Sequence, residues 1–322
     1  MSGEFALNAI GLVAGALGII GFAKNNMPTQ TDPAGAHVQV KIGLGEPGDS
    51  GNVAGGIDGV YAYDYNNAYI GRAQGGFIDV GGVLEVTVRQ DTPGIQTDFL
   101  SVSATKDAPC ISWISVSQYD GSPGGAWTGD IGKACGDYWY HAGGQEAGTF
   151  ADPCPQEGCS WRPVCAWLDA DHSADYPYGA MKFNVRAYGE LSEDTVKAGE
   201  DHVCASTLWA SDSGPINDKP AKREQRVRSS WMNSTLIVSS VSSQTATELC
   251  HHDKSWGPDF IGVDGKYCDM ESKTVMPVCS DTFVRDCVEV DQQLNTLRKR
   301  TTTARRTVDG VHKTYDTIEQ WD

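Results

Sequence analysis

An uncharged, mostly apolar stretch runs from Ala6 to Ala23, near the start of a chain that is otherwise mixed and acidic. As an α-helix, a stretch of about 18 residues is roughly 27 Å long, close to the shortest length that crosses a bilayer. Lys24 and Pro28 are typical of the residues that end a helix. The pattern therefore predicts an apolar helix within residues 1–27 and a polar linker over residues 28–35.

Small and bulky residues separate onto two neighbouring stripes of this predicted helix. A stripe of glycines lets helices approach closely, so that dispersion contacts between copies replace contacts with water. We therefore expect self-association through this helix, with the isolated Glu4 contacting a free amine or a basic residue of the next copy. The predicted assembly residues are Glu4, Leu7, Ile10, Gly11, Val13, Gly15, Leu17, Gly18, Ile20 and Gly21.

Three other ways of covering the apolar stretch remain open. A cleaved signal peptide is the commonest, but the start MSGEF carries Glu4 and no cation, whereas secretory signals begin with positive charge. A membrane span would favour a cytoplasmic location for Lys24 and the chain after it, which conflicts with disulfide formation. A helix buried within the same subunit is the third. Any contact with a membrane is expected through residues 6–23 alone.

Residues 36–289 contain short apolar runs, several with a period of two, separated by turns rich in glycine and proline. HVQVKIGL and GVLEVTVRQ are examples. This spacing is typical of antiparallel sandwiches and barrels. We predict a mainly β chain with one disulfide-stabilised antiparallel β-sandwich, jelly-roll or immunoglobulin-like. The later runs, from VCAWLDAD to SSWMNSTLIVSSV, are expected to form its second sheet.

The last segment, residues 290–322, has apolar or small residues at alternating spacings of three and four. This is the heptad pattern of a helix packed along its length. We therefore predict a C-terminal amphipathic helix in this segment. Its seam consists of Leu294, Leu297, Thr301, Ala304, Val308, Val311, Tyr315 and Ile318.

The cysteines indicate the compartment. They are ten, an even number, and they form no CxxC pair. We predict five disulfides, with the pairing left open by the spacing, and a secreted protein at an extracellular or cell-surface location. The sequon at Asn233 agrees with a secretory route and predicts a glycosylation site. The cysteines are Cys110, Cys135, Cys154, Cys159, Cys165, Cys204, Cys250, Cys268, Cys279 and Cys287.

Aromatic residues cluster in a glycine-rich stretch between Trp113 and Gly144. Exposed tryptophan and tyrosine rings on a β-sandwich stack against sugar rings, with their polar edges free. We expect a glycan-binding surface here, while packing of the same rings into the core is the alternative. The candidate residues are Trp127, Tyr138, Trp139 and Tyr140.

Charge and motifs exclude several classes of function. The formal net charge of −17, from 42 acidic and 25 basic residues, argues against nucleic acid as a partner. The sequence lacks the motifs of serine hydrolases, zinc proteases, P-loop enzymes and dinucleotide-binding proteins. The run from Asp169 to His172 lacks the spacing and the glycine of a calcium loop. We therefore expect no enzymatic activity, no cofactor and no metal site.

The stretches from Cys250 to Cys279 and from Cys287 to Leu297 resemble the C-terminal part of secreted, cysteine-bearing fungal proteins of uncharacterised function. This resemblance implies an extracellular location and no particular activity. The overall layout, an apolar helix with one early Glu followed by a disulfide-linked β-rich region, is similar to that of pilin-type filament subunits.

Together these patterns predict an extracellular structural protein that self-assembles into a filament or other multimer through its glycine-striped helix. Its expected partners are other copies of itself and a cell-wall glycan. A secreted glycan-binding β-sandwich module and a membrane-inserting or pore-forming protein are the two alternatives.

Overall fold

The computed structural model describes residues 34–43, 54–143, 148–149, 160–161, 163–172, 176–188, 204–216, 230–252, 254–279, 286–303 and 306–321. The predicted helix within residues 1–27 and most of the linker over 28–35 lie outside the described residues. The chain divides into two compact units, Met1–Arg226 and Val227–Asp322, which we call unit 1 and unit 2. The region predicted over 36–289 therefore spans parts of both.

Unit 1 is built from strands, with two short helical segments among its described residues. Its elements are β1 (Gly35–Ile42), β2 (Gly55–Tyr63), β3 (Tyr69–Gln74), β4 (Phe77–Ile78), β5 (Val83–Gln90), β6 (Phe99–Ala104), β7 (Cys110–Ser117), β8 (Pro123–Thr128), α1 (Gly129–Ala134), β9 (Trp139–Tyr140), β10 (Gly148–Thr149), β11 (Ser160–Trp161), β12 (Cys165–Trp167), β13 (Ala180–Asn184), a 3₁₀ helix (Arg186–Tyr188) and β14 (Thr207–Ala210).

Twelve of the described strands of unit 1 form one antiparallel sheet that curls into a half-barrel. The order is β14-β13-β6-β2-β3-β5-β1-β7-β12-β9, with β4 beside β2 and β8 beside β7, while β10 and β11 form a separate hairpin. The prediction of a mainly β, antiparallel chain is thus confirmed. Three of the strands expected in a second sheet, β12, β13 and β14, instead belong to the same sheet as β1.

The period of two explains the core of unit 1. Val38 and Val40 are 1% and 0% exposed, and the register places Val38 opposite both Val86 and Val116. Neighbouring strands therefore present valines on one face. Trp127 and Ile131, from β8 and α1, belong to the same cluster of buried apolar side chains. Burial of this face is the main stabilising contribution to the sheet.

Four disulfides connect the described elements, which confirms the predicted use of eight of the ten cysteines. Cys154 and Cys159 lie outside the described residues. Gly43 packs directly against one bridge, because a Cβ atom on it would lie 2.6 Å from the Cβ atom of Cys165. By the loop-closure estimate, a bridge spanning several tens of residues stabilises the fold by roughly 4 kcal/mol. The pairs are Cys110–Cys165, Cys135–Cys204, Cys250–Cys268 and Cys279–Cys287.

Unit 2 contains a five-stranded and a three-stranded sheet among its described residues. In the first, of order β18-β17-β16-β15-β22, β15 runs parallel to β16 and β22; the second has the order β19-β20-β21. The elements are α2 (Ser230–Ser234), β15 (Thr235–Ser239), α3 (Ala246–His251), β16 (Asp259–Ile261), β17 (Lys266–Asp269), β18 (Thr274–Pro277), β19 (Cys287–Asp291), β20 (Thr296–Thr303), β21 (Arg306–Thr314) and β22 (Thr317–Trp321).

The predicted C-terminal helix over residues 290–322 is wrong, because this segment forms β20, β21 and β22. Asn295, with a φ of 50°, turns the chain between β19 and β20. The predicted seam does not lie on one buried face, since Leu294 and Val311 are 64% and 62% exposed. Threonine and valine are poor helix formers and favour strands, and the segment pairs as β19 with β20, β20 with β21 and β22 with the distant β15.

Within the described ranges, no helix combines the length and the apolar character needed to cross a membrane.

Candidate functional site

Asp259 begins β16 and is fully buried, with 0% of its surface exposed. Because β16 lies between β15 and β17 in the sheet, the backbone fixes this carboxylate inside unit 2. A buried carboxylate is costly unless donors surround it. The contacts of Asp259 therefore determine what this place in the molecule can do.

Donors reach both oxygens of the Asp259 carboxylate. The hydroxyl groups of Tyr267 and Tyr315 donate to Oδ2 over 3.0 and 2.8 Å. The Lys313 ammonium donates to the same oxygen over 2.9 Å. The backbone N–H of Met270 donates to Oδ1 over 3.0 Å. Charge-assisted and neutral hydrogen bonds thus offset the loss of water around the carboxylate.

Lys313 lies between two carboxylates. Its Nζ is 2.9 Å from Oδ2 of Asp259 and 2.9 Å from Oδ1 of Asp269, and its side chain is 21% exposed. Asp269 is fixed in place because the backbone N–H groups of Glu271 and Ser272 also donate to its Oδ1 over 3.0 and 3.2 Å. Lys313 belongs to β21 and the two aspartates to β16 and β17. The ion pairs therefore join the three-stranded sheet of unit 2 to its five-stranded sheet.

Burial and charge shift the pKa of four groups around Asp259. Burial, reinforced by the charge of Asp259, raises the pKa of Tyr267 and of Tyr315 far above the ordinary value, so both keep their protons. Burial lowers the pKa of Lys313, but the charge of Asp259 and the hydrogen bonds outweigh it, and this pKa lies above its usual value. Burial raises the pKa of Asp269, but the hydrogen bond from Lys313 and the other favourable contacts outweigh it, and this pKa lies below its usual value.

Strand alternation explains how the sequence brings these groups together. Tyr267 and Asp269 are two positions apart in β17, and Tyr315, the residue that follows β21, is two positions beyond Lys313. Side chains two positions apart share a face of a strand. This cluster is not visible in the sequence, because each pair of residues alone is an ordinary strand pattern. Asp259 and Lys313 are 54 positions apart, and only their long-range contact makes the cluster.

The chemistry of this cluster is confined to the chain itself, because Asp259 has no exposed surface to offer another molecule. Its parts are an amine, a carboxyl carbon, a backbone N–H on one carboxyl oxygen and hydroxyl groups on the other. As an ion pair the cluster stabilises the contact between the two sheets of unit 2. Acyl transfer to an amine requires these same groups: an amine nucleophile, a carboxyl carbon, and hydrogen-bond donors at both carboxyl oxygens.

A second feature, in unit 1, is the hairpin between β2 and β3. Asp64 shapes its turn, since Oδ1 accepts hydrogen bonds from the backbone N–H groups of Asn66 and Ala68, both over 2.8 Å. The turn presents two tyrosine side chains to solvent, Tyr65 at 77% and Tyr69 at 46% exposure. Exposed aromatic rings of this kind suit stacking against an apolar ring face of a ligand.

Lys182 of β13 contacts this hairpin through Tyr63 and Asn67. It is 3% exposed, its Nζ lies 3.4 Å from the centre of the Tyr63 ring, and it donates to Oδ1 of Asn67 over 2.6 Å. A desolvated cation on a ring face contributes about 2 kcal/mol. Burial, reinforced by Tyr61 and Tyr69, raises the pKa of Tyr63 to about 12, so this ring stays neutral. The turn is therefore held in one conformation.

The predicted glycan-binding surface at Trp127, Tyr138, Trp139 and Tyr140 is wrong as a surface, because these residues are 0%, 4%, 0% and 0% exposed. They are core residues, the alternative that the sequence left open. Glycine explains the difference, since a Cβ atom on Gly132 would lie 2.8 Å from the Cβ atom of Ala166. The glycines of this stretch permit close packing rather than loops at the surface.

The remaining predicted residues are placed as follows. Asn233 is exposed on α2, which leaves its amide accessible, and its glycosylation stays a prediction. The predicted assembly residues, from Glu4 to Gly21, lie outside the described residues. Within the described part of the chain, no group of three or more His, Cys, Asp or Glu side chains is arranged to hold a metal ion.

Comparison with protein-family models, with curated proteins and with solved structures finds no match to this chain.

Proposed function

We propose that this protein is a secreted, extracellular structural protein that self-associates through residues 6–23. The observation that carries the proposal is the use of cysteine. Every cysteine in the described part of the chain belongs to a disulfide. Disulfides persist in oxidising environments and are rare in the reducing cytosol.

The positions of the bridges support a structural role. Cys110–Cys165 connects β7 to β12, which are neighbours in the large sheet, and Cys250–Cys268 connects α3 to β17. Each bridge therefore reinforces an existing contact within its unit. The Asp259 cluster adds a connection between two sheets of unit 2. The proposal also includes the two-layered antiparallel β-sandwich that the sequence pattern predicts.

The glycine-striped segment supports self-association. Four glycines in a helix cost about 1 kcal/mol each relative to alanine, so their use in one stripe needs a compensating close contact. Another copy of the same segment supplies such a contact. The net charge of −17 repels copies of the chain from one another, so salt is expected to favour assembly by screening that repulsion.

The cysteine argument is tested by alkylating the secreted protein in denaturant without reduction, followed by peptide mass spectrometry. We expect the eight described cysteines to remain unlabelled and to become labelled only after reduction. The location proposal fails if these cysteines carry label in material that was never reduced.

Glycan binding is the second candidate function, favoured by the two exposed rings of the β2–β3 hairpin. We expect the Tyr65→Ala, Tyr69→Ala double variant to lose most of any binding to insoluble cell-wall glycan in a pull-down assay. Leu208→Ala is a matched control, because Leu208 is a large side chain with a similar exposure of 49%. Equal retention of the wild type and both variants would count against a glycan site at this hairpin.

A further inference from the structure

We propose that Lys313 and Asp259 condense to an intramolecular amide bond, which links the two sheets of unit 2 covalently. The geometry of the buried cluster carries this inference, and it does not depend on self-association of the chain. Nothing in the proposal requires a separate enzyme, a metal or a cofactor.

The first requirement is a nucleophile next to the carbon that it attacks. Nζ of Lys313 is 2.9 Å from Oδ2 of Asp259, and a carboxyl C–O bond is about 1.2 Å long, so Nζ lies within about 4 Å of Cγ. Aligned groups whose reacting atoms are about 3–3.5 Å apart react with effective concentrations on the order of 10⁵ M or more. A small movement of the amine above the carboxyl plane brings it into line for attack.

The second requirement is stabilisation of the oxygen that becomes negative during attack. The Met270 backbone N–H lies 3.0 Å from Oδ1 of Asp259. It is a fixed donor, because Met270 directly follows β17. A preorganised backbone donor at this oxygen lowers the barrier to the tetrahedral intermediate.

The third requirement is a path for protons. Asp269 Oδ1, 2.9 Å from Nζ, accepts a proton from the Lys313 ammonium and frees the amine. The raised pKa of Lys313 and the lowered pKa of Asp269 make this transfer uphill, so it forms part of the barrier to condensation. The hydroxyl groups of Tyr267 and Tyr315 both contact Oδ2 of Asp259 and each other, over 3.0 Å in the latter case. These two hydroxyl groups pass protons to Oδ2 of Asp259, the oxygen that leaves as water.

The step balances without an oxidant or a reductant. The bond between Nζ of Lys313 and Cγ of Asp259 forms, and the bond between Cγ and Oδ2 breaks. Two of the three ammonium protons leave with Oδ2 as water, and the third remains on the amide nitrogen. Asp269 and the two tyrosines end in the protonation states in which they began.

Burial favours the product. Both partners of an ion pair lose hydration when they are taken from water, and in many proteins their mutual attraction repays this loss poorly. The amide is neutral, so condensation removes the charges of Lys313 and Asp259. The Asp269 carboxylate then keeps its hydrogen bonds from the backbone N–H groups of Glu271 and Ser272. The released water molecule enters the solvent. These contributions favour the amide far more here than they do for the same groups in water.

Tryptic peptide mapping of the secreted full-length protein, after reduction and alkylation, tests the proposal. With a free Lys313, trypsin releases the separate peptides 255–266 and 307–313. With the amide in place, trypsin cannot cut after Lys313, and we expect 255–266 joined to 307–322. The mass of this joined species is the sum of the masses of 255–266 and 307–322 minus one water molecule. Recovery of 255–266 and 307–313 in full as separate peptides would overturn the proposal.

Two variants separate this bond from other cross-links. Lys313→Arg keeps a cation between the two carboxylates but cannot form this amide, so we expect 255–266 to be released alone. Asp269→Asn keeps Lys313 and removes the proton acceptor, and we expect the joined fraction to fall at least tenfold at a fixed time after synthesis. Circular dichroism of both variants establishes that they are folded. A joined fraction equal to that of the wild type in folded Asp269→Asn protein would contradict the role of Asp269.

Discussion

Relative to wild-type protein in which Lys313 is still free, Lys313→Met is expected to lower the free energy of unfolding of unit 2 by about 3–5 kcal/mol at neutral pH, because it leaves two buried carboxylates without a cation. Asp259 has no exposed surface, and Asp269 contacts the same Lys313 ammonium, which the substitution removes. Methionine fills a similar volume, so lost packing contributes little. Denaturant unfolding with the disulfides intact, followed by hydrogen exchange in residues 230–321, measures the loss.

The matched control is Arg300→Met in the same sheet. Arg300 pairs with Glu289 over 3.0 Å, but their side chains are 41% and 56% exposed, and an exposed pair contributes at most about 1 kcal/mol. We expect a small effect from this variant. Equal losses from Lys313→Met and Arg300→Met would show that burial of the Asp259 cluster does not matter for stability.

The penalty of Lys313→Met depends on pH in a defined direction. In the wild type with a free Lys313 the pKa of Asp269 is depressed, so its contribution to stability is present above the ordinary carboxyl pKa of about 4 and is lost as the pH falls through the lower folded value. In the variant, Asp269 lacks the hydrogen bond from Lys313 and takes up a proton more readily. The difference between the two proteins should therefore shrink as the pH falls below about 4.

Removal of residues 1–27 is expected to abolish self-association and to leave a monomer with both units folded. The double variant Gly15→Leu, Gly18→Leu should have nearly the same effect, because two bulky side chains fill the small-residue face. The matched control is Ala16→Leu, Ala23→Leu, which adds similar bulk beside Leu12 and Ile19, on the side of the predicted helix away from the glycine stripe. Sedimentation velocity of the four proteins measures the result.

Assembly that survives both the deletion and the glycine variant would place the contact elsewhere on the chain. Loss of assembly in the alanine control as well would show that added bulk anywhere in the segment disrupts it, and the glycine stripe would then have no special role.

Local patterns predicted the elements of unit 1 well, and for a physical reason. In β1 the valines at alternate positions pack on one face, so the period of two in the sequence is the period of the structure. The even cysteine count likewise predicted bridges, although their partners depend on distant contacts such as that between Cys110 and Cys165.

The C-terminal segment and the site were beyond local reasoning. Spacings of three and four between apolar residues fit a helix seam, but Leu297 and Tyr315 reach one core from different elements of the chain. The aromatic cluster near Trp127 was misplaced because glycine permits tight packing as well as loops. The Asp259 cluster combines residues of the consecutive strands β16 and β17 with Lys313 of β21, which lies 54 positions from Asp259, and no short motif marks it.

The most direct test of the central proposal is negative-stain electron microscopy of the secreted full-length protein, with intact mass establishing that residues 6–23 are present. The account predicts regular fibres or closed multimers, more abundant as salt is added, and no leakage of lipid vesicles. Single particles of one chain that retain residues 6–23 would contradict it, and vesicle leakage would favour a membrane-inserting protein instead.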